Sequence, residues 1–218
     1  MFSKMGNARH ISHLDLQRTM ERALRRAGIE VSYSQGFNPK PRFSIASALM
    51  LGAEADNEVM DCHLNSGMCT EEFVRRMNCS LPEGIRFKRA RVLAETSRDC
   101  AAASDAARYR ISLPGFADRL LELTSAFISA PSVVIEKTTK SKTKRIDVKP
   151  LVVAIRMPVP DSVEILLDIS GPSIRPPEFV GALLSLGDAP VPDRIDYRRL
   201  DILTCIEGHY VPLFEADV

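Results

Sequence analysis

The segment ISHLDLQRTMERALRRAG, residues 11–28, narrows the possible folds more than any other stretch of the chain. Ser12 suits a helix N-cap, Asp15 three residues later completes a capping box, and Ile11 with Leu16 makes a hydrophobic staple. Gly28 supplies the left-handed residue that commonly ends a helix, so the pattern predicts a helix running to about Ala27. At roughly 100° per residue, Leu16, Met20, Ala23, Leu24 and Ala27 share one face, and Arg18, Arg22, Arg25 and Arg26 lie nearly opposite. One side must be covered by a core. The other presents guanidinium groups to solvent.

The flanking sequence predicts what covers that face. Strand patterns occur at 1–5 and 7–11 with a bend at Gly6, at 43–49, at 59–64 and at 85–93, with a turn at 52–58. Thr70 caps a short helix reaching Met77, whose contacts come from Phe73, Val74 and Met77. This β-α-β-β-α-β order is the split βαβ, or ferredoxin-like, arrangement. Residues 96–107, TSRDCAAASDAA, are small and polar and read as a linker. A similar order returns after it: a strand at 108–113, then a helix led by Pro114 with Phe116, Leu120, Leu123, Phe127 and Ile128 on its buried side. Strands at 132–137, 151–157 and 163–169, a helix from Pro176 to Leu184 and a strand at 198–206 complete the series. The expected architecture is α+β, two tandem ferredoxin-like units at 1–95 and 108–218 with the linker at 96–107, the second unit carrying an extra strand or hairpin.

Composition excludes several classes. With 45% hydrophobic and 26% charged residues among 218, the chain is neither disordered nor membrane-embedded by composition. Its longest apolar run, around 45–52, is too short to span a bilayer and the N-terminus has no apolar signal region. Cys62, Cys69, Cys79, Cys100 and Cys205 form no CxxC pair, so neither a structural zinc site nor a thioredoxin-like motif is indicated, and reduced thiols in the cytoplasm are expected. There is no phosphate-binding P-loop, GxGxxG turn, GxSxG elbow or CxxxCxxC run, so no resident cofactor is expected.

The net charge of +1 averages over two basic islands. Residues 1–45 carry eight cations against three acids, and residues 137–150, KTTKSKTKRIDVKP, carry six against one. Segregation of this kind points to a polyanionic partner. Between the arginine helix and the next strand lies SYSQGFNPKPR, residues 32–42, where Gly36 permits positive φ and Pro39 and Pro41 hold their predecessors extended. Tyr33, Phe37 and Asn38 can stack on and read unpaired bases, while Arg18, Arg22, Arg25, Arg26, Lys40 and Arg42 contact phosphates. In the second island Lys142, Lys144, Arg145 and Lys149 are the candidate clamp, on a loop or hairpin tip.

Two histidines are candidates for proton chemistry, His10 and His13, the latter placed by the helical wheel on the apolar side. His63 and His209 have no spacing that matches them. Asp56, Glu58 and Asp61 read as a solvated acidic turn.

The block SHLDLQRTMERALRRAGIEVSYSQGFNPKPRFSIASALMLGAEA and the later KRIDVKPLV resemble the two signature motifs of the radical-SAM-linked protein family, also called domain of unknown function 2344. The family usually has His where this chain has Lys40, and Ser where it has Ala55. The resemblance implies a working partner: a radical SAM protein with a cobalamin-binding region. Combined with the basic islands, it leads to the expectation of a non-enzymatic accessory protein that binds an RNA, tRNA or rRNA, for modification by that partner. Two alternatives remain open from sequence. One is a metal-independent Cas6-like RNA endonuclease with His10 or His13 as general base. The other is a protein scaffold in which the arginine stripe docks on the partner enzyme.

Overall fold

The computed structural model describes residues 1–138 and 143–217. In chain order the elements are β1 (Phe2–Lys4), a 3-10 turn (Gly6–His10), α1 (His13–Arg26), β2 (Phe43–Ile45), β3 (Glu54–Glu58), β4 (Met60–Cys62), α2 (Thr70–Ser80) and β5 (Ile85–Phe87). There follow β6 (Ala106–Ser112), α3 (Ala117–Ser129), β7 (Val134–Thr138), β8 (Thr143–Asp147), β9 (Val152–Val159), β10 (Ser162–Asp168), α4 (Pro176–Ser185), β11 (Asp196–Ile206) and β12 (His209–Pro212). The chain forms two compact units, residues 1–105 together with the chain from Arg199 onward, and residues 106–198. The class is α+β.

In the first unit the strand order is β5-β1-β3-β11, with β12 paired to β11 and a separate β2–β4 pair. β1 runs antiparallel to both neighbours, with Phe2 opposite Phe87 and Glu58, and Lys4 opposite Ile85 and Ala55. A split βαβ unit inserts a strand between the two that each helix joins in parallel, so antiparallel neighbours on both sides of β1 do not depart from the expected order. The expected turn at 52–58 is instead largely β3, a strand poor in β-branched residues. It is specified by partners on both sides rather than by its own propensity. The expected strand at 43–49 stops at Ile45 because the Ser47 and Ala48 carbonyls accept hydrogen bonds from the Arg199 side chain and are lost to a ladder. β5 ends at Phe87, having only the three residues of β1 to pair with. The expected strand at 7–11 is mostly the 3-10 turn.

One apolar cluster lies under α1 and α2. Leu16, Met20, Ala23 and Leu24 from α1 meet Phe73 and Met77 from α2 and Phe2, Ile85 and Phe87 from the sheet. The Phe2 and Phe87 rings are 5.3 Å apart, and Phe73 meets Phe87 edge-on at 5.7 Å. Each such side chain contributes about 1.5–3 kcal/mol on burial, which is why the amphipathic spacing of α1 could be read so directly. A second cluster holds Ala46, Val59, Cys100, Ala103, Ile202, Leu213 and Phe214. It includes two residues of the stretch read as a linker, Cys100 at 5% and Ala103 at 0% exposure.

In the second unit β10 pairs antiparallel with β6 and β9, and β7 with β8. Leu120, Leu123 and Phe127 of α3 are buried, with Phe127 edge-on to Phe179 of α4 at 5.4 Å. Ile128, expected on the buried side, is 55% exposed, because the packed stripe of α3 follows the spacing of Leu120, Leu123 and Phe127 and the next residue turns past it. Glu164, on the buried strand β10, is held by Arg110 and Arg156 through bonds of 2.6–3.0 Å. Burial would raise its pKa, and the two guanidinium groups overcome that, leaving it below the usual carboxylate value. No described helix is long and apolar enough to cross a membrane.

Candidate nucleic-acid interface

The basic face begins with the capping of α1. The Asp15 amide donates to Ser12 Oγ at 3.2 Å, and the Ser12 hydroxyl donates to Asp15 Oδ2 at 2.7 Å. At the other end Gly28 has φ of 63°, its amide donates to the Arg25 carbonyl, and the Ile29 amide donates to Leu24 at 3.0 Å. That pair of bonds is a Schellman motif, and it turns the chain sharply into the segment that carries the aromatic residues.

On the outer stripe Arg18 pairs with Asp15 at 3.1 Å and Arg25 with Glu21 at 3.0 Å, both in solvent. Exposed pairs of this spacing are worth only about 0.2–0.5 kcal/mol, so a phosphate can replace the carboxylate at little cost. Arg26 donates to the Ser80 carbonyl at the end of α2, at 2.5 Å. Arg22 is exposed and has no ion pair among the described residues.

Residues 32–42 form a hairpin-like projection. The Arg42 amide donates to Ser32 at 2.7 Å, the Ser34 amide donates to Lys40 at 2.8 Å, and Tyr33 bridges Pro41. The Lys40 amide also donates to Ser34 Oγ at 3.0 Å. Its base is anchored by the Ser32 amide on the His63 carbonyl and by the His63 amide on the Arg42 carbonyl. Gly36, with φ of 129°, allows the tip to turn. Phe37 stands there with 106% relative exposure and Tyr33 has 49%, with Asn38 and Lys40 also exposed. A guanidinium nitrogen of Arg42 lies 3.5 Å from Nε2 of His63, which in turn is 4.0 Å from Asp99.

Between the end of α1 and the base of this projection lies an open groove of about 240 Å³. Leu24, Ile29 and Val31 line it with Tyr33 and Pro41, while Glu21, Arg25, Glu30 and Asn65 supply polar groups. Thus Arg25 and Tyr33 are brought to one place by the fold. Glu30, Asn65 and His63 were not foreseen, since no spacing in the sequence links them to the helix.

The second island divides differently. Lys144 and Arg145 are exposed on β8. Lys149 donates to the carbonyls of Phe127 and Ile128 at 2.5 and 2.7 Å and sits over the Phe127 ring, so its ammonium caps the C-terminus of α3. Lys137 is similarly engaged, with the Ser173 carbonyl and Glu178. Lys142 lies outside the described residues.

The histidines occupy unlike settings. His10 is exposed, its Nε2 accepting from Arg9 Nε at 3.3 Å. His13 is half-buried and its Nδ1 is buried with no hydrogen-bond partner among the described residues. Burial first, and then the Arg199 charge, hold its pKa below the ordinary imidazole value. Around it lies a network that the sequence conceals. Arg199 and Glu58, both 0% exposed, form a two-pronged pair at 2.7 and 2.5 Å, with Arg199 also donating to the Ser47 and Ala48 carbonyls. Lys4, at 1% exposure, donates to the Arg9 carbonyl, and burial lowers its pKa.

The reading of Asp56, Glu58 and Asp61 as a solvated turn is therefore corrected. Glu58 is buried, and Asp61 accepts from the Ser44 amide, the Ser44 hydroxyl and the Cys100 amide. The Cys100 bond holds its loop against β4, and the two Ser44 bonds tie β4 to β2. Among the described residues, no group of three or more His, Cys, Asp or Glu side chains is placed to hold a metal ion.

No curated protein matches the chain. The family described as an uncharacterized protein conserved in bacteria (DUF2344) matches residues 1–176, a span that takes in α1, the hairpin and the groove, and the chain belongs to that family.

Proposed function

We propose that the protein is a non-enzymatic RNA-binding accessory factor that holds a tRNA or rRNA for modification by a radical SAM/cobalamin enzyme. The observation that carries this reading is the placement of Phe37. Its ring is fully exposed at the tip of a projection held by backbone hydrogen bonds, with Lys40 and Arg42 on the returning limb and the arginine stripe of α1 leading into it. Leaving a phenylalanine ring in water forgoes about 1.5–3 kcal/mol of burial, and a stacked base would recover part of it. The cations beside it supply the electrostatic part of binding without reading sequence. The partner enzyme is implied by the resemblance of the helix and the GFNPKP motif to the radical-SAM-linked family.

Retention of total cellular RNA at low and moderate ionic strength tests the binding. Phe37→Ala should weaken affinity by about 1–3 kcal/mol while leaving the unfolding midpoint unchanged. No retention at low salt overturns the reading. Anaerobic co-purification with the radical SAM protein, followed by identification of the nucleic acid recovered with it, tests the partnership.

A further inference from the structure

The groove beside α1 differs in charge from the stripe above it. Its cation, Arg25, is paired with Glu21, and Glu30 adds a carboxylate that has no hydrogen-bond partner among the described residues. A phosphate seated beside Glu30 would meet the like charge of that carboxylate. Its floor, made by Leu24, Ile29 and Val31, is apolar, and Tyr33 and Pro41 offer flat surfaces beside it. At about 240 Å³ the groove is below the ~300–1,000 Å³ of pockets that take drug-sized ligands, which suits one planar ring system.

The polar rim is specific. The Ser32 hydroxyl donates to Asn65 Oδ1 at 2.8 Å, and the Asn65 amide donates to the Glu30 carbonyl at 2.9 Å, so the Asn65 side chain is held at the base of the hairpin with Nδ2 available as a donor. With Glu21 and Arg25 engaged with each other, the rim is left with an acceptor-only carboxylate, Glu30, and an N–H donor, Asn65. Among the bases, guanine presents the complementary Watson–Crick edge, with N1–H and N2–H to donate and O6 to accept. Adenine puts an acceptor at N1, which a carboxylate repels.

We propose that this groove takes one unpaired guanine of an RNA strand, stacked against Tyr33, with the Glu30 carboxylate accepting from N1–H and N2–H and Asn65 Nδ2 donating to O6. This rests on the RNA-binding reading and adds base selectivity to it. Phe37 and the cations hold the strand, and the groove decides which nucleotide sits beside α1.

Fluorescence anisotropy at low salt, using labelled oligouridine strands with a single central G, A or inosine, tests it. The G strand should bind the wild-type protein about five- to hundredfold more tightly than the A strand, the range a good two-bond contact gives. Inosine, which lacks N2–H, should fall between them. Glu30→Gln and Asn65→Ala should each lower the G-to-A ratio, and near-native circular dichroism would show that the loss is not one of folding. Equal binding of the three strands overturns the guanine assignment and leaves the RNA reading standing. So does a preference for A, or a G preference that survives both substitutions. If no strand binds at low salt, both fall.

Discussion

Arg199 and Glu58 are 141 positions apart and wholly buried, with Lys4 and His13 nearby. A buried pair of this kind adds little net stability, but removing one partner leaves an uncompensated charge in the core. Arg199→Met should destabilise the protein by about 3–5 kcal/mol in urea unfolding, and pairing it with Glu58→Leu should restore a large part of the loss. His13 gives a pH-dependent counterpart. Its folded pKa is depressed, so the unfolded chain binds a proton before the folded one does as pH falls. The contribution is therefore fully present above the unfolded value of about 6.5 and is lost as pH falls toward the lower folded value. Nuclear magnetic resonance titration of the His13 ring should give a midpoint below that of an unfolded peptide, and His13→Gln should remove this component from the stability profile.

At the scale of elements, α1 is the part whose local signals and tertiary packing agree. Its cap, apolar stripe and glycine stop all occur where the backbone needs them, so Ser12→Ala should cost about 1 kcal/mol in equilibrium unfolding. β3 is the opposite case. Its polar sequence, EADNE, carries no strand signal of its own, yet Ala55 and Glu58 are buried because β1 and β11 flank it. The projection at 32–42 lies between these cases. Its glycine and prolines announce an irregular, restricted segment, but the bonds among Ser32, Arg42 and His63 that hold it upright depend on a residue beyond the end of β4, distant in sequence.

For the whole molecule, net charge is a poor guide and its distribution a better one. The first island is exposed along α1 and the projection, whereas in the second Lys137 and Lys149 are engaged by carbonyl groups of their own unit. Binding of RNA should therefore show a steep salt dependence that originates mainly in the first island. Arg22→Ala, at an exposed arginine of the helix, should reduce the slope of log affinity against log salt by about 0.7–1. An unchanged slope would remove Arg22 from the binding surface.

The sequence alone determined α1, its basic stripe, the restricted segment that follows and the α+β class, because capping, helical periodicity and the geometry of Gly and Pro act over a few residues. Tertiary structure decided β3, the burial of Glu58, Lys4 and Arg199 and the residues that complete the groove. Those features depend on strands and side chains that meet from distant parts of the chain, and the free energy that places a carboxylate in a core or an asparagine beside a tyrosine exists only once those parts are packed together.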